Sequence, residues 1–173
     1  MKKAVFLDRD GTINVEKEYL HECDKLEFIP GVEEALALLR KKGYLLIVIS
    51  NQSGVGRGYF PKEDVVRLNQ YMNELLLEKQ AKVDDFYFCP HVEGDNCSCR
   101  KPMTGMYEQA AREHDIDLKE SYMVGDKVTD ILGAEKLGCG YGLVLSGHAI
   151  EEKYLKKYEG HCYKNLLEFA KSL

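Results

Sequence analysis

No apolar run in this sequence approaches the roughly 20 residues needed to cross a bilayer. The sequence also has no internal repeat, no low-complexity tract and no sign of a second domain. Basic charge is not in excess: Lys plus Arg number 24 against 29 Asp plus Glu, a net charge of -5 at pH 7. That balance argues against a non-specific nucleic-acid binder, which presents a basic surface. A local basic pocket can still hold a small anion. Where a secretory leader would keep its apolar stretch, the chain carries Asp8, Arg9 and Asp10, so a cytoplasmic protein is expected.

What is present is ordinary globular material. The 173 residues are 45% hydrophobic and 31% charged, and a chain of this length buries roughly 70% of the surface it exposes when unfolded. Residues 1–173 are therefore read as one domain, and a monomer is expected because periodicity shows no exposed apolar stripe. Five short apolar runs read as strands: Ala4 to Leu7, Leu45 to Ile49, Phe86 to Phe88, Tyr122 to Val124 and Gly142 to Leu145. They are continuous rather than alternating, the pattern of strands covered on both faces.

Helical patterns lie between them. Val32 to Lys42 is bracketed by Gly31 and Gly43, Pro61 opens a helix running to about Gln80, and Gly105 to His114 follows Thr104, a candidate cap. Val128 to Leu137 stops at Gly138, and weaker patterns cover Glu151 to Tyr158 and Asn165 to Leu173. Strand and helix in alternation predict an α/β fold: three layers, an open, mostly parallel sheet with helices on both faces. Two connections, Gly11 to Pro30 and His91 to Pro102, are too long for simple turns. Both follow strands, so both emerge where a parallel sheet binds its ligands.

The first strand runs directly into Asp8-Arg9-Asp10-Gly11-Thr12. Two carboxylates at a strand end suit a nucleophile with a separate proton donor, or a pair of metal-ligating oxygens. After the second strand, Ser50-Asn51-Gln52-Ser53-Gly54 offers a hydroxyl and amide N–H groups for phosphate oxygens. Lys101 is a compact positive charge suited to neutralising a phosphoryl group and an attacking carboxylate, and Arg100 beside it can reach a second anion. Asp126, Lys127 and Asp130 follow the fourth strand.

Cysteine is concentrated in one place. Of six cysteines, Cys89, Cys97 and Cys99 fall with His91 within eleven residues. Three thiolates and one imidazole match a tetrahedral zinc site with no position left for water, hence a structural one, formed by a loop spanning residues 89–99. Zinc would hold the loop that carries Arg100 and Lys101. Cys139 and Cys162 read as core or near-core thiols.

These motifs together resemble the haloacid-dehalogenase superfamily of phosphohydrolases. The resemblance makes Asp8 the nucleophile and Asp10 the acid/base, with Ser50 and Lys101 completing the catalytic set. It assigns Mg²⁺ to Asp8, the Asp10 carbonyl and Asp126, with Asp130 a supporting acid through Lys101 or a metal-bound water, and Lys127 supporting or substrate-facing. It implies an enzyme that passes through a phosphoaspartate, without a separate cap domain. Its site would then be walled by Gly11 to Pro30, Gly54 to Phe60 and the zinc loop.

Within the superfamily, Cys-x-His followed by Cys-x-Cys-Arg-Lys-Pro is similar to the group that contains D-glycero-D-manno-heptose 1,7-bisphosphate phosphatase and histidinol-phosphate phosphatase. Asn51-Gln52-Ser53-Gly54-Val55-Gly56-Arg57-Gly58 favours the heptose branch. Asn51, Arg57 and Arg100 are the candidate substrate-binding residues, with Arg57 gripping a distal phosphate. The resemblance thus implies removal of the C7 phosphate of the heptose bisphosphate. The alternatives are histidinol phosphate, whose branch often has the short five-residue spacing between His91 and Cys97, another small phosphosugar, or a non-catalytic protein that binds a phosphorylated ligand.

Overall fold

The computed structural model describes residues 1–173. Its strands are β1 (Ala4–Leu7), β2 (Leu45–Asn51), β3 (Asp85–Cys89), β4 (Tyr122–Gly125), β5 (Gly140–Val144) and β6 (Cys162–Tyr163). All pair in parallel in one sheet of order β3-β2-β1-β4-β5-β6. The helices are α1 (Val32–Lys41), α2 (Ser53–Gly56), α3 (Lys62–Leu77), α4 (Gly105–His114), α5 (Val128–Leu137), α6 (Glu152–Lys157) and α7 (Leu166–Ser172).

β1 shows why the strands are continuously apolar. All four of its side chains are fully buried. Val5 and Leu7 pack with Leu36 of α1, Met72 of α3 and Phe169 of α7. Ala4 and Phe6 pack on the other face with Met106 and Tyr107 of α4 and Ala134 of α5. Helices thus cover both faces, and each large side chain so buried contributes about 1.5–3 kcal/mol relative to exposure. α1 carries Glu33 and Glu34 in its first turn and Arg40 and Lys41 in its last, matching the helix dipole.

Several details differ from the sequence reading. β2 extends through Ser50 and Asn51, because those polar residues continue the ladder with Phe88 and Cys89. Thr104 makes no side-chain cap bond to α4; its hydroxyl faces the Glu108 carboxylate at 3.3 Å instead. α3 begins at Lys62 and ends at Leu77, three residues short of the predicted end. The two-residue β6 and the single turn α2 are too short to leave a periodic trace. The two thiols fit their core or near-core reading: Cys139 is buried and Cys162 is half-buried on edge strand β6.

The chain moves outward from β1 through β2 to β3, then crosses to β4 on the other side of β1 and continues to β5 and β6. β1 and its neighbours therefore flank the switch point, where loops diverge and leave a crevice beyond the strand ends. Between β1 and α1 lies one turn of 3₁₀ helix, Cys23–Lys25; residues 90–104 join β3 to α4 without a helix or strand.

Candidate active site

The C-terminal strand ends bring together Asp8, Lys101, Asp126 and Asp130. Lys101 is 4% exposed, and its ammonium contacts Asp8 Oδ1 at 3.1 Å, Asp130 Oδ1 at 2.7 Å and the Ile49 carbonyl at 2.8 Å. Burial works against this charge, but Asp130 and Asp8 outweigh it and hold the ammonium above its ordinary value. Asp8 Oδ1 also accepts the Arg9 N–H at 2.9 Å, which orients the carboxylate. Asp130 Oδ2 accepts the Lys127 N–H at 3.2 Å, so one side chain starts α5 and steadies Lys101. Gly125 makes room for it: a Cβ there would stand 2.0 Å from Asp130 Oδ2.

Asp10 sits in a cage that the sequence reading did not identify. Arg9, fully buried, lies 3.1 Å from Asp10 Oδ2. Asn14 donates to Oδ1 at 2.9 Å and Gln52 to Oδ2 at 3.0 Å. Burial pushes the Asp10 carboxyl up, but the Arg9 charge and these hydrogen bonds prevail and hold it below its ordinary 3.8. Arg9 also reaches Asn69 on α3 and the Leu20 carbonyl, tying the loop after β1 to two other elements. Gln52 reaches Ser50 Oγ at 3.3 Å as well, and Ser50 is itself buried.

Above these groups opens a cleft of about 450 Å³. Arg57, Arg100 and Lys127 bring cations to its lining; Glu16, Glu18 and Asp10 bring carboxyls. Glu16 Oε1 is already engaged by the Glu18 N–H at 2.7 Å. Two walls are pinned together by aromatic contacts: Tyr19 meets Tyr59 edge-on at 4.9 Å, and His21 stacks on Phe60 at 4.6 Å. Asn51 lines the cleft, but its amide is committed to the Lys101 backbone, accepting from the N–H at 2.9 Å and donating to the carbonyl at 3.3 Å. The Arg100 guanidinium is held at 3.2 Å by the His91 carbonyl.

The carboxylates suit a hard divalent cation. Asp8, Asp126 and Asp130 place ligand oxygens within 4.8 Å of one another, with only the Lys101 cation among them. Asp126 is fully buried and its Oδ1 has no partner; burial first, then the Asp8 charge, push its carboxyl well above the usual range. The Asp10 carbonyl accepts no backbone hydrogen bond. Hard carboxyl and carbonyl oxygens, with Asp126 Oδ1 unpartnered, are the donor type that Mg²⁺ prefers.

The second cluster suits a softer ion. Donor atoms of Cys89, His91, Cys97 and Cys99 converge within 4.8 Å. His91 Nδ1 lies 3.3 Å from both Cys89 and Cys99 Sγ, and Cys89 lies 3.9 Å from Cys97. These edges match a tetrahedron of zinc–sulfur bonds of about 2.3 Å. The Cys89–Cys99 separation of 2.7 Å is shorter and must open by about 1 Å to reach such an edge.

His148 is a further residue that the sequence reading passed over. It contacts Asp126 Oδ2 through both its backbone N–H and Nδ1, at 2.9 and 2.6 Å. Its signal was positional: Ser146, Gly147 and His148 follow a predicted strand and so reach the same sheet edge. Arg9 was similarly marked as a charge between two site carboxylates. Gln52 and Asn14 had no signal beyond their neighbours.

Comparisons with known proteins agree with this geometry. The family signature described as HAD-hydrolase-like matches residues 98–168. A D-glycero-beta-D-manno-heptose-1,7-bisphosphate 7-phosphatase of Haemophilus ducreyi is 47% identical over 164 residues, 90% of each chain. A D-glycero-alpha-D-manno-heptose-1,7-bisphosphate 7-phosphatase of Campylobacter jejuni is 36% identical, covering 98% of this chain and 96% of its own. The solved D,D-heptose 1,7-bisphosphate phosphatase from B. bronchiseptica, complexed with magnesium and phosphate, superposes with a TM-score of 0.88 at 32% identity, covering 98% and 97% of the two chains. With likeness along nearly its whole length, the chain belongs to the HAD-superfamily phosphatases, in the family of the D-glycero-D-manno-heptose-1,7-bisphosphate 7-phosphatases.

Proposed function

We propose that this protein is an Mg²⁺-dependent phosphatase that removes the C7 phosphate of D-glycero-D-manno-heptose 1,7-bisphosphate through a phosphoaspartate on Asp8. The observation that carries the reading is Asp8 at the end of β1, oriented by Lys101 and the Arg9 N–H, with Asp10 beside it under a cation-lined cleft. Asp8, the Asp10 carbonyl and Asp126 would hold Mg²⁺, which when bound offsets negative charge as the phosphoryl group transfers.

An Asp8 oxygen attacks phosphorus, the bond from phosphorus to the sugar oxygen breaks, and Asp10 delivers a proton to that oxygen. Asp10 is held ionised in the resting site; an arriving phosphate, negatively charged beside it, favours the protonated form it needs. Asp10 then takes a proton from water, whose oxygen attacks phosphorus, breaks the bond to Asp8 and releases phosphate. Lys101 neutralises Asp8 and the transferring group, and Ser50 and the neighbouring amides face the phosphate oxygens. Arg57, Arg100 and Lys127 serve the phosphate that stays on the sugar.

Cys89, His91, Cys97 and Cys99 would hold Zn²⁺, which when bound would fix residues 89–99 and, through the His91 carbonyl, the Arg100 guanidinium. Thiolate ligands need a reducing compartment, which fits the cytoplasm. The reading takes the protein as a monomer with a single phosphatase domain. The test is kcat/KM with Mg²⁺ on both heptose 1,7-bisphosphate anomers, histidinol phosphate and fructose 1,6-bisphosphate. A preference of about a hundredfold for a heptose anomer, about 2.7 kcal/mol, is expected. A preference for histidinol phosphate refutes the assignment.

A further inference from the structure

β5 ends at Val144 and the chain folds back over the site through Ser146, Gly147 and His148. Three contacts fix this turn. Ser146 Oγ donates to the Gly11 carbonyl at 2.8 Å. Gly147 approaches so closely that a Cβ would stand 2.2 Å from Asp126 Oδ2 and 2.7 Å from Gly11 Cα. His148 then holds Asp126 Oδ2 twice, by its backbone N–H at 2.9 Å and by Nδ1 at 2.6 Å.

The other oxygen of Asp126 is bare: Oδ1 is buried without any partner. Rotating the carboxylate about its Cβ–Cγ bond would break both contacts to Oδ2. The turn therefore fixes which oxygen is left for the cluster with Asp8. We propose that His148 is a positioning residue for the metal site: it holds Asp126 Oδ2 so that Oδ1 is presented, preset, to the cation. This rests on the Mg²⁺ reading above. An Asp126 carboxylate that ligates a cation only accepts hydrogen bonds, so His148 Nδ1 would then be the donor, while Nε2 faces Glu16 at 3.8 Å. Groups that orient a metal ligand from behind typically set affinity by about 10–100-fold.

The test measures metal binding without turnover. Zinc-loaded protein is titrated with Mn²⁺ in the absence of phosphorylated ligands, and free Mn²⁺ is counted by its electron paramagnetic resonance signal. Asp126→Asn is expected to abolish binding at the site. His148→Ala is expected to raise Kd by about tenfold or more with its thermal midpoint kept, since His148 is exposed and leaves no cavity. His148→Asn, whose amide nitrogen can take the place of Nδ1, should recover most of the affinity. If Asp126→Asn binds Mn²⁺ like the wild type, the metal site is misplaced and the Mg²⁺ reading falls together with this inference. If Asp126→Asn loses binding while His148→Ala keeps it, the role of His148 alone is overturned. The same holds if His148→Asn binds no better than His148→Ala.

Discussion

Replacing Lys101 by methionine keeps most of the side-chain volume and removes one charge. In the folded protein that charge touches Asp8 at 3.1 Å and Asp130 at 2.7 Å with 4% of the lysine exposed. Taking away one partner of a buried ion pair costs about 3–5 kcal/mol, because the remaining charge stays desolvated. For a chain of this size each kcal/mol moves the midpoint by about 2–4 °C, so Tm should fall by about 6–20 °C. The loss should depend on pH. Burial raises the Asp130 carboxyl above its ordinary 3.8 even with the lysine charge opposing it, and Lys101→Met removes that opposition. An acid whose folded pKa exceeds its unfolded value binds more protons in the folded state, so stability falls as pH rises from the unfolded value through the folded one. Urea unfolding at acid and mildly alkaline pH, in zinc-loaded protein without added Mg²⁺, reads this directly. The deficit should be larger at the higher pH, shrink when Mg²⁺ is added, and be partly relieved in the double variant Lys101→Met, Asp130→Asn. A deficit under about 1 kcal/mol, well below the range for a broken buried pair, or one equal at both pH values, would refute the view of Lys101 as the cation that makes the cluster tolerable.

Asp8→Asn should abolish turnover while leaving the unfolding midpoint within a few degrees, since an amide cannot form the acyl phosphate; residual steady-state activity would remove Asp8 from the nucleophile's role. Cys97→Ser should lower zinc per chain, measured by atomic absorption, and open residues 90–99 to proteolysis before Mn²⁺ binding at the carboxylates suffers. Arg57 is exposed on the cleft rim, so Arg57→Ala should raise KM for the bisphosphate by about 10–100-fold, the worth of a charge-assisted hydrogen bond. KM for an aryl monophosphate should stay level, and an equal rise for both would deny Arg57 the distal phosphate.

The sheet was legible because its strands are buried on both faces. Ala4 to Leu7 has no polar residue to dilute the signal, and its bounds match the observed strand. α4 and α5 were equally plain, each having an apolar stripe. The strand ends then located Asp8, Ser50 and Asp126 together, because parallel strands deliver their C-termini to one edge. Contacts that depend on three-dimensional approach were not legible. The Arg9 guanidinium finds Asn69 on α3, 60 positions away, and nothing in local periodicity marks that pairing. Asn51, a candidate substrate ligand from the resemblance, also binds the Lys101 backbone, 50 positions on, a contact that no local pattern marks. The sixth strand was invisible because two residues cannot display a period.

The central place of β1 has a consequence for how the protein is made. β1 is made long before the strand that closes its second edge: the Ala4 N–H is satisfied by Ser121 Oγ, 117 positions downstream. At roughly 5–20 residues per second, translation spends about 6–23 s between them. During that interval one edge of a wholly apolar strand waits without its neighbour β4. Asp8 and Asp126 meet only when that wait ends, so a chain stalled before β4 emerges lacks the carboxylate cluster.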